Sequence, residues 1–184
     1  MKTDLINGKP LKSIILFALP IMASSMLQYN YNLVDNIIVG RFVGTNALGA
    51  VGNVGSINNF IIGTSLGLTS GFTISVAQAF GAKRFDKMNK YAGNSIALSF
   101  LIGMIIMIVA HFLSRPLLRL IDTPDEIIDM SAQYIDVLYY AVPIQMSLNN
   151  FNSLSRAVGD SKRPLYFLIV SVIVNLILDI LFVG

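Results

Sequence analysis

Two aspartates stand inside long apolar stretches of the 184-residue sequence, where a carboxylate is costly. A charged side chain at the middle of a membrane-spanning helix costs roughly 2.5–3.5 kcal/mol on insertion scales, so such residues usually have a function. Asp35 lies toward the end of the first apolar stretch, and Asp179 lies toward the end of the fifth. If both stretches cross the membrane in the same direction, the two carboxylates lie at a similar depth and can converge on one site.

Amide side chains accompany both aspartates at helical spacing. Gln28, Asn32 and Asp35 lie at i, i+4 and i+7, and Asn175 and Asp179 lie at i and i+4, so each set shares one helix face. Carboxylates and amide oxygens together suit a hard monovalent cation, and in a dry site the two carboxylates could instead share one proton. The pattern predicts a cation site for Na⁺ or H⁺ at Asp35, Asn175 and Asp179. The alternative is that each aspartate bonds to backbone near an outer helix end.

A polar stripe on the fourth apolar stretch predicts a surface that faces other helices or a water-filled cavity. Its members recur at helical spacing and are Asp136, Tyr140, Pro143, Ser147 and Asn150, with Tyr139 beside them. We assign to a substrate cleft the residues Gln28, Asn32, Asp136, Tyr139, Tyr140 and Asn150. The alternative is a packing role, since Ser and Asn commonly join helices in membranes.

Two further patterns concern packing and the membrane boundary. Gly63, Gly67 and Gly71 recur at every fourth residue, which predicts that another backbone packs closely against them. His111, near the end of the third apolar stretch, is interpreted as a residue at the membrane interface.

The composition requires that these residues be carried by membrane-spanning helices. The sequence is 54% hydrophobic and 12% charged, whereas soluble domains carry about 25% charged residues. Five stretches reach the roughly 20 residues that cross a bilayer, at about 13–38, 48–80, 91–113, 127–155 and 165–183. We predict an all-α membrane protein with about five transmembrane helices. The absence of cysteine and the single histidine argue against a zinc, haem or iron–sulfur site.

Basic residues are distributed unequally between the two ends of these helices. One side holds three of the 13 Lys and Arg residues, Arg41, Arg115 and Arg119. The other side holds Lys2, Lys9, Lys12, Lys83, Arg84, Lys87, Lys90, Arg156, Lys162 and Arg163. Because basic loops stay in the cytoplasm, we predict a cytoplasmic N-terminus and an external, acidic loop at 122–129. A lipid head-group site is the alternative interpretation of the basic loops.

Several short motifs resemble the multidrug and toxic compound extrusion (MATE) family. They are Leu19-Pro20 with Gln28 and Val34-Asp35, VGRFVG at 39–44, ALGA at 47–50, AQAFGA at 77–82, RAVGDSKRP at 156–164, and Asn175 with Asp179. The resemblance runs through the whole chain in order and is similar to the DinF- and MepA-like branches of bacterial and archaeal exporters. It implies that the chain is most of one six-helix lobe, which is paired in the family with a second, C-terminal lobe that this chain lacks.

The resemblance also implies a function and its partners. We expect the N-terminal part of a Na⁺- or H⁺-coupled multidrug efflux antiporter in the cell membrane that works by alternating access and is not an enzyme. By resemblance, Asp35, Asn175 and Asp179 map onto the cation site of the N-terminal lobe. The expected partners are membrane lipid and a cationic or aromatic small molecule, with no nucleic acid and no cofactor beyond the coupling ion. The sequence resembles a truncated product or fragment.

Three alternatives stay open. A lipid-linked oligosaccharide flippase of the same superfamily usually needs cationic side chains in its cleft, and no Lys or Arg lies inside a predicted span. An intramembrane aspartyl enzyme would use Asp35 and Asp179 as a catalytic pair, but the flanking residues do not resemble one. A channel would need a selectivity filter, and no repeated filter motif is present.

Overall fold

The structure, a computed structural model, describes residues 10–42 and 44–182 as five α-helices joined by short turns. The side chains at 10, 35, 39, 45–47, 179, 180 and 182 lie outside that description. The helices are α1 (Pro10–Phe42), α2 (Thr45–Gly81), α3 (Phe85–Leu120), α4 (Asp125–Ala157) and α5 (Lys162–Phe182). The described residues contain no strand, as the sequence predicts.

Each predicted span lies inside one observed helix, except for residue 183, which is outside the described residues. Among those residues, three helices are long and apolar enough to cross a membrane by length and composition, over Leu11–Phe42, Leu48–Gly81 and Phe85–Leu120. The helices extend beyond the predicted spans because amphipathic and charged residues continue the helical pattern outside the apolar segment. The fold is the predicted all-α bundle.

The turns that follow α2, α3 and α4 share one backbone arrangement. In the first, Arg84 N donates to Ala79 O and Lys83 N donates to Phe80 O, the hydrogen-bond pair of a Schellman motif. Each turn has one residue in the left-handed conformation. In chain order these residues are Lys83 (φ 56°), Asp122 (φ 52°) and Gly159 (φ 82°). Short connections join all five helices, so neighbours in sequence run antiparallel, and α1 and α5 run in the same direction.

Helices α2, α3 and α4 form the packed centre of the bundle. The buried cluster contains Val54, Ile57 and Ile61 of α2, Ala110 and Leu118 of α3, and Ala132, Ile135, Tyr139, Val142 and Met146 of α4. Helix α1 packs mainly on α5, and this pair borders the central three helices. Many apolar side chains of α1 and α5 are exposed, as expected of helices that face lipid or a neighbouring protein segment.

Close backbone packing occurs on α3 and not on the glycine stripe of α2. A Cβ added to Gly103 of α3 would lie 2.6 Å from Pro143 Cα of α4, so these two helices approach closely. In contrast, a Cβ built on Gly63, Gly67 or Gly71 meets nothing within 4 Å beyond the adjacent backbone of its own helix. Among the described residues, the prediction of close packing at those three glycines is therefore wrong, because the stripe faces outward and no described helix covers it.

Candidate functional site

Asn175 lies on α5, one of the two helices that carry the predicted cation site, and its side-chain oxygen has no partner among the described residues. It is half-buried in α5, and its Oδ1 is buried with no hydrogen-bond partner among the described residues. A buried polar atom that lacks a partner costs free energy, so it calls for an explanation. An amide oxygen is a ligand that hard cations accept, and the donor therefore fits the predicted ion.

The two carboxylates of the predicted site lie on the same pair of helices, α1 and α5, which pack on each other. Asp35 is near the C-terminal end of α1, and Asp179 is near the C-terminal end of α5. Because α1 and α5 run in the same direction, both residues lie toward the same end of the bundle. The side chains of Asp35 and Asp179 lie outside the described residues, so their approach to Asn175 stays a prediction.

His111 of α3 contacts the polar stripe of α4, a contact that the sequence did not predict. His111 Nδ1 of α3 lies 3.2 Å from Asp136 Oδ1 of α4, and Nδ1 must carry the proton to donate this bond. The His111 ring also lies 6.0 Å from the Tyr140 ring. Asp136 therefore interacts with a neighbouring helix while its side chain stays 28% exposed, and its place in a substrate cleft stays a prediction.

Two other predicted cleft residues are buried among the central helices. Tyr139 is 2% exposed, belongs to the buried cluster and has no hydrogen-bond partner for its hydroxyl among the described residues. Asn150 is 0% exposed, and its Nδ2 donates to Ser95 Oγ of α3 at 3.1 Å. Asn150 joins α4 to α3 and Tyr139 packs in the core of the three central helices, an arrangement that corresponds to the packing alternative.

Gln28 lines a polar cavity of about 240 Å³ between α1, α2, α4 and α5. Amide and hydroxyl side chains face it together with one guanidinium, and its polar lining comprises Ser24, Ser25, Gln28, Asn149, Asn152, Arg156 and Ser161. Asn149, Asn152 and Arg156 were not predicted as cleft residues. The signal that could have identified Asn149 and Asn152 is the amide-rich end of α4, where three asparagines fall within four residues, at 149, 150 and 152.

Asn32 lines a different surface, an open groove of about 620 Å³ along α1 and the start of α2. Tyr29, Asn36 and Leu48 also line it. The structure thus places the predicted cleft residues in three locations: Gln28 in the polar cavity, Asn32 in the groove, and Asp136, Tyr139, Tyr140 and Asn150 on α4. Within this chain, they do not form one continuous site.

Comparisons with known proteins agree with this architecture. The MatE family model matches residues 20–181. The chain is 33% identical over 174 residues to the probable multidrug resistance protein YoeA of Bacillus subtilis. The matched region is 94% of this chain and 38% of YoeA. It is 29% identical over 181 residues to the probable multidrug resistance protein YpnP of the same organism. This match includes 98% of this chain and 41% of YpnP.

The fold also matches a solved structure. A transporter of the MOP superfamily from Pyrococcus furiosus superposes with a TM-score of 0.89 and 28% sequence identity, over 98% of this chain and 40% of that one. The chain thus spans about two-fifths of the length of the proteins it matches. Members of this family are transporters and not enzymes, which argues against the aspartyl enzyme. Because the family model covers most of the sequence, the chain belongs to the MATE family.

Proposed function

We propose that this chain forms the N-terminal part of a cation-coupled multidrug efflux antiporter that works by alternating access. The observation that carries the proposal is the unpartnered Asn175 Oδ1, which is buried in α5. The helix that carries it packs on α1, and the two helices bear Asp179 and Asp35 respectively. We propose that this oxygen, together with the carboxylates that Asp35 and Asp179 place on the same two helices, supplies the donor set for a coupling cation.

The chemistry at this site would be binding and release of the coupling ion. With Na⁺, both carboxylates stay ionised and the ion offsets their repulsion, while the Asn175 carbonyl oxygen provides a neutral ligand. With H⁺, one carboxyl is neutral and the other can accept its hydrogen bond. In either case, binding would reduce the net negative charge of the site by one, which can favour one arrangement of α1 and α5 over another.

The substrate would meet the open groove on α1, where amide and aromatic side chains lie together. Asn32 and Tyr29 line this groove. Amides can accept hydrogen bonds from a cationic substrate, and an aromatic ring attracts a cation at its face. We propose that these residues, and not the buried Tyr139 and Asn150, contact a cationic or aromatic compound.

The orientation follows from the basic turns. Lys83, Arg84 and Lys87 lie at the turn between α2 and α3, and Lys162 and Arg163 lie at the turn between α4 and α5. Antiparallel helices bring both turns to the end of the bundle where α1 begins. By the positive-inside rule, we propose that this end, and therefore the N-terminus, is cytoplasmic in the cell membrane.

Dye efflux from cells tests this function. Cells that lack other drug pumps and express the protein should extrude ethidium, whereas Asp35→Asn and Asp179→Asn should each abolish extrusion. Asp129→Asn is the matched control, since Asp129 is 72% exposed and pairs only with Arg115 among the described residues. If Asp35→Asn and Asp179→Asn extrude ethidium as fast as Asp129→Asn at equal expression, the coupling site is not at these carboxylates.

The flippase alternative has weaker support. A cleft for a lipid pyrophosphate requires several cationic side chains, and Arg156 is the one Lys or Arg that lines the polar cavity or the α1 groove. This residue lies in the last turn of α4, away from the middle of the helix.

A further inference from the structure

Arg156 is a half-buried cation with no carboxylate partner. Its Nη2 donates to Ser153 Oγ at 2.9 Å, and that hydroxyl is the one acceptor that the described residues give it. A guanidinium has five N–H donors, so most of its capacity is unused. Taking a charge out of water without an opposite charge is unfavourable, and an anion would offset this cost.

The neighbouring aspartate, Asp160, already has other partners. Asp160 Oδ1 accepts hydrogen bonds from the backbone N–H groups of Lys162 and Arg163 at 3.2 Å each, at the start of α5. Its Oδ2 lies 3.1 Å from Arg163 Nε. Asp160 thus caps α5 and pairs with Arg163, and Arg156 forms no ion pair within the part of the chain described here.

A second polar group in the same cavity also lacks a partner. Ser161 is 3% exposed, lines the cavity with Arg156, and its Oγ has no hydrogen-bond partner among the described residues. The hydroxyl can donate to an anion that Arg156 attracts. Gln28, Asn149 and Asn152 line the cavity as well, and each carries an amide NH₂ that can donate to the other oxygens of the same anion.

We propose that Arg156 and Ser161 form a binding site for a phosphate group in the cavity beside the turn between α4 and α5. The planar guanidinium matches the oxygens of phosphate in a bidentate manner. The site lies at the basic end of the bundle, and basic pockets between membrane helices on the cytoplasmic side bind phospholipid head groups. The cavity also has the apolar residues Leu66, Pro164 and Leu168, which suit the glycerol and first acyl carbons of a phospholipid.

Native mass spectrometry of the purified protein in detergent tests the site. Dioleoylphosphatidylglycerol should be retained by the wild-type protein, whereas dioleoylglycerol, which has the same chains and no phosphate, should not. Arg156→Gln should lower retention of the phospholipid at least about tenfold, as expected for loss of hydrogen bonds from a charged group. Lys162→Gln removes the same charge from an exposed side chain outside the cavity, and it should change retention by less than about twofold.

Ser161→Ala separates binding from folding. Because Ser161 Oγ has no partner in the described structure, its removal should not lower the thermal unfolding temperature of the lipid-free protein, yet it should weaken phospholipid retention about threefold or more. A drop in lipid-free stability with unchanged retention would overturn the proposal. So would equal effects of Arg156→Gln and Lys162→Gln, which would indicate general attraction of anions, or equal retention of the two lipids.

Inorganic phosphate distinguishes the source of the group. If inorganic phosphate in large excess displaces the phospholipid from the wild-type protein, free phosphate also occupies the site. If it does not, the site takes the phosphate of a lipid. Both results support a phosphate site as long as Arg156→Gln abolishes the binding concerned.

Discussion

Gly103 of α3 lies directly against the backbone of Pro143 in α4. A Cβ on Gly103 would lie 2.6 Å from Pro143 Cα and 3.3 Å from Pro143 N, both of them backbone atoms. Neither atom can move aside without shifting α4. The glycine is therefore required for the distance between α3 and α4.

Gly103→Ala should destabilise the protein by about 1–3 kcal/mol, the usual cost of overpacking. Thermal unfolding in detergent measures this change. Gly67→Ala is the matched control, because Gly67 also lies inside a long apolar helix but a Cβ added there would have no described atom within 4 Å. Gly67→Ala should be neutral or stabilising. Equal melting temperatures of the two variants would contradict the tight crossing of α3 and α4.

Asn150 and Asn149 are adjacent in sequence but have different predicted roles. Asn150 is fully buried and bonds to Ser95, so Asn150→Ala should lower the free energy of unfolding by about 1–3 kcal/mol. Asn149 lines the polar cavity, so Asn149→Ala should weaken retention of dioleoylphosphatidylglycerol and leave stability nearly unchanged. Unfolding in detergent and native mass spectrometry with the phospholipid measure the two effects. The opposite pattern would place Asn150 in the cavity.

The His111–Asp136 pair should contribute little to stability but more than the neighbouring Arg115–Asp129 pair. The side chains of the first pair are 44% and 28% exposed, and those of the second are 62% and 72% exposed. Exposed ion pairs contribute roughly 0.2–1 kcal/mol. A double-mutant cycle at each pair measures the coupling energy. A larger coupling for Arg115–Asp129 would mean that the lower exposure of His111 and Asp136 is not maintained in the membrane.

Cysteine labelling tests the orientation, because the sequence contains no cysteine. Asp125→Cys lies at the start of α4 and Lys87→Cys at the start of α3, at opposite ends of the bundle. A membrane-impermeant maleimide applied to intact cells should label position 125, and label position 87 only after the cells are opened. Labelling of position 125 only from the inside would reverse the proposed topology.

The sequence was sufficient for the fold because the apolar stretches have the length of a membrane and the turns are short. It also indicated that Asp136 and Asn150 face away from lipid. It did not show which neighbour each one meets, because a helical repeat fixes the face of a side chain but not the helix packed against that face. The same limit explains the wrong prediction for Gly63, Gly67 and Gly71: small residues permit a close approach, but a second helix must be present to make it.

The polar cavity was missed for a related reason. Asn149, Asn152 and Arg156 lie near the end of α4, and Ser161 lies in the following turn, so each looks like an ordinary helix-end residue. Only the packing of α1, α2, α4 and α5 brings them to one cavity with Gln28. In contrast, Asp35 and Asp179 stand out in the sequence alone, since each interrupts an apolar stretch. Their role as cation ligands stays a prediction.

The central claim is that a cation bound between α1 and α5 drives export. Ethidium transport in proteoliposomes with an imposed Na⁺ or H⁺ gradient tests it most directly. The wild-type protein should transport ethidium against its gradient only while one of these ion gradients is present. Asn175→Ala, which removes the unpartnered oxygen, should lower the initial rate at least about tenfold. Asn30→Ala, at an exposed amide of α1 that lines neither the groove nor the polar cavity, should keep coupled transport. Ethidium transport that is the same with and without both gradients, or that Asn175→Ala leaves unchanged, would contradict the account.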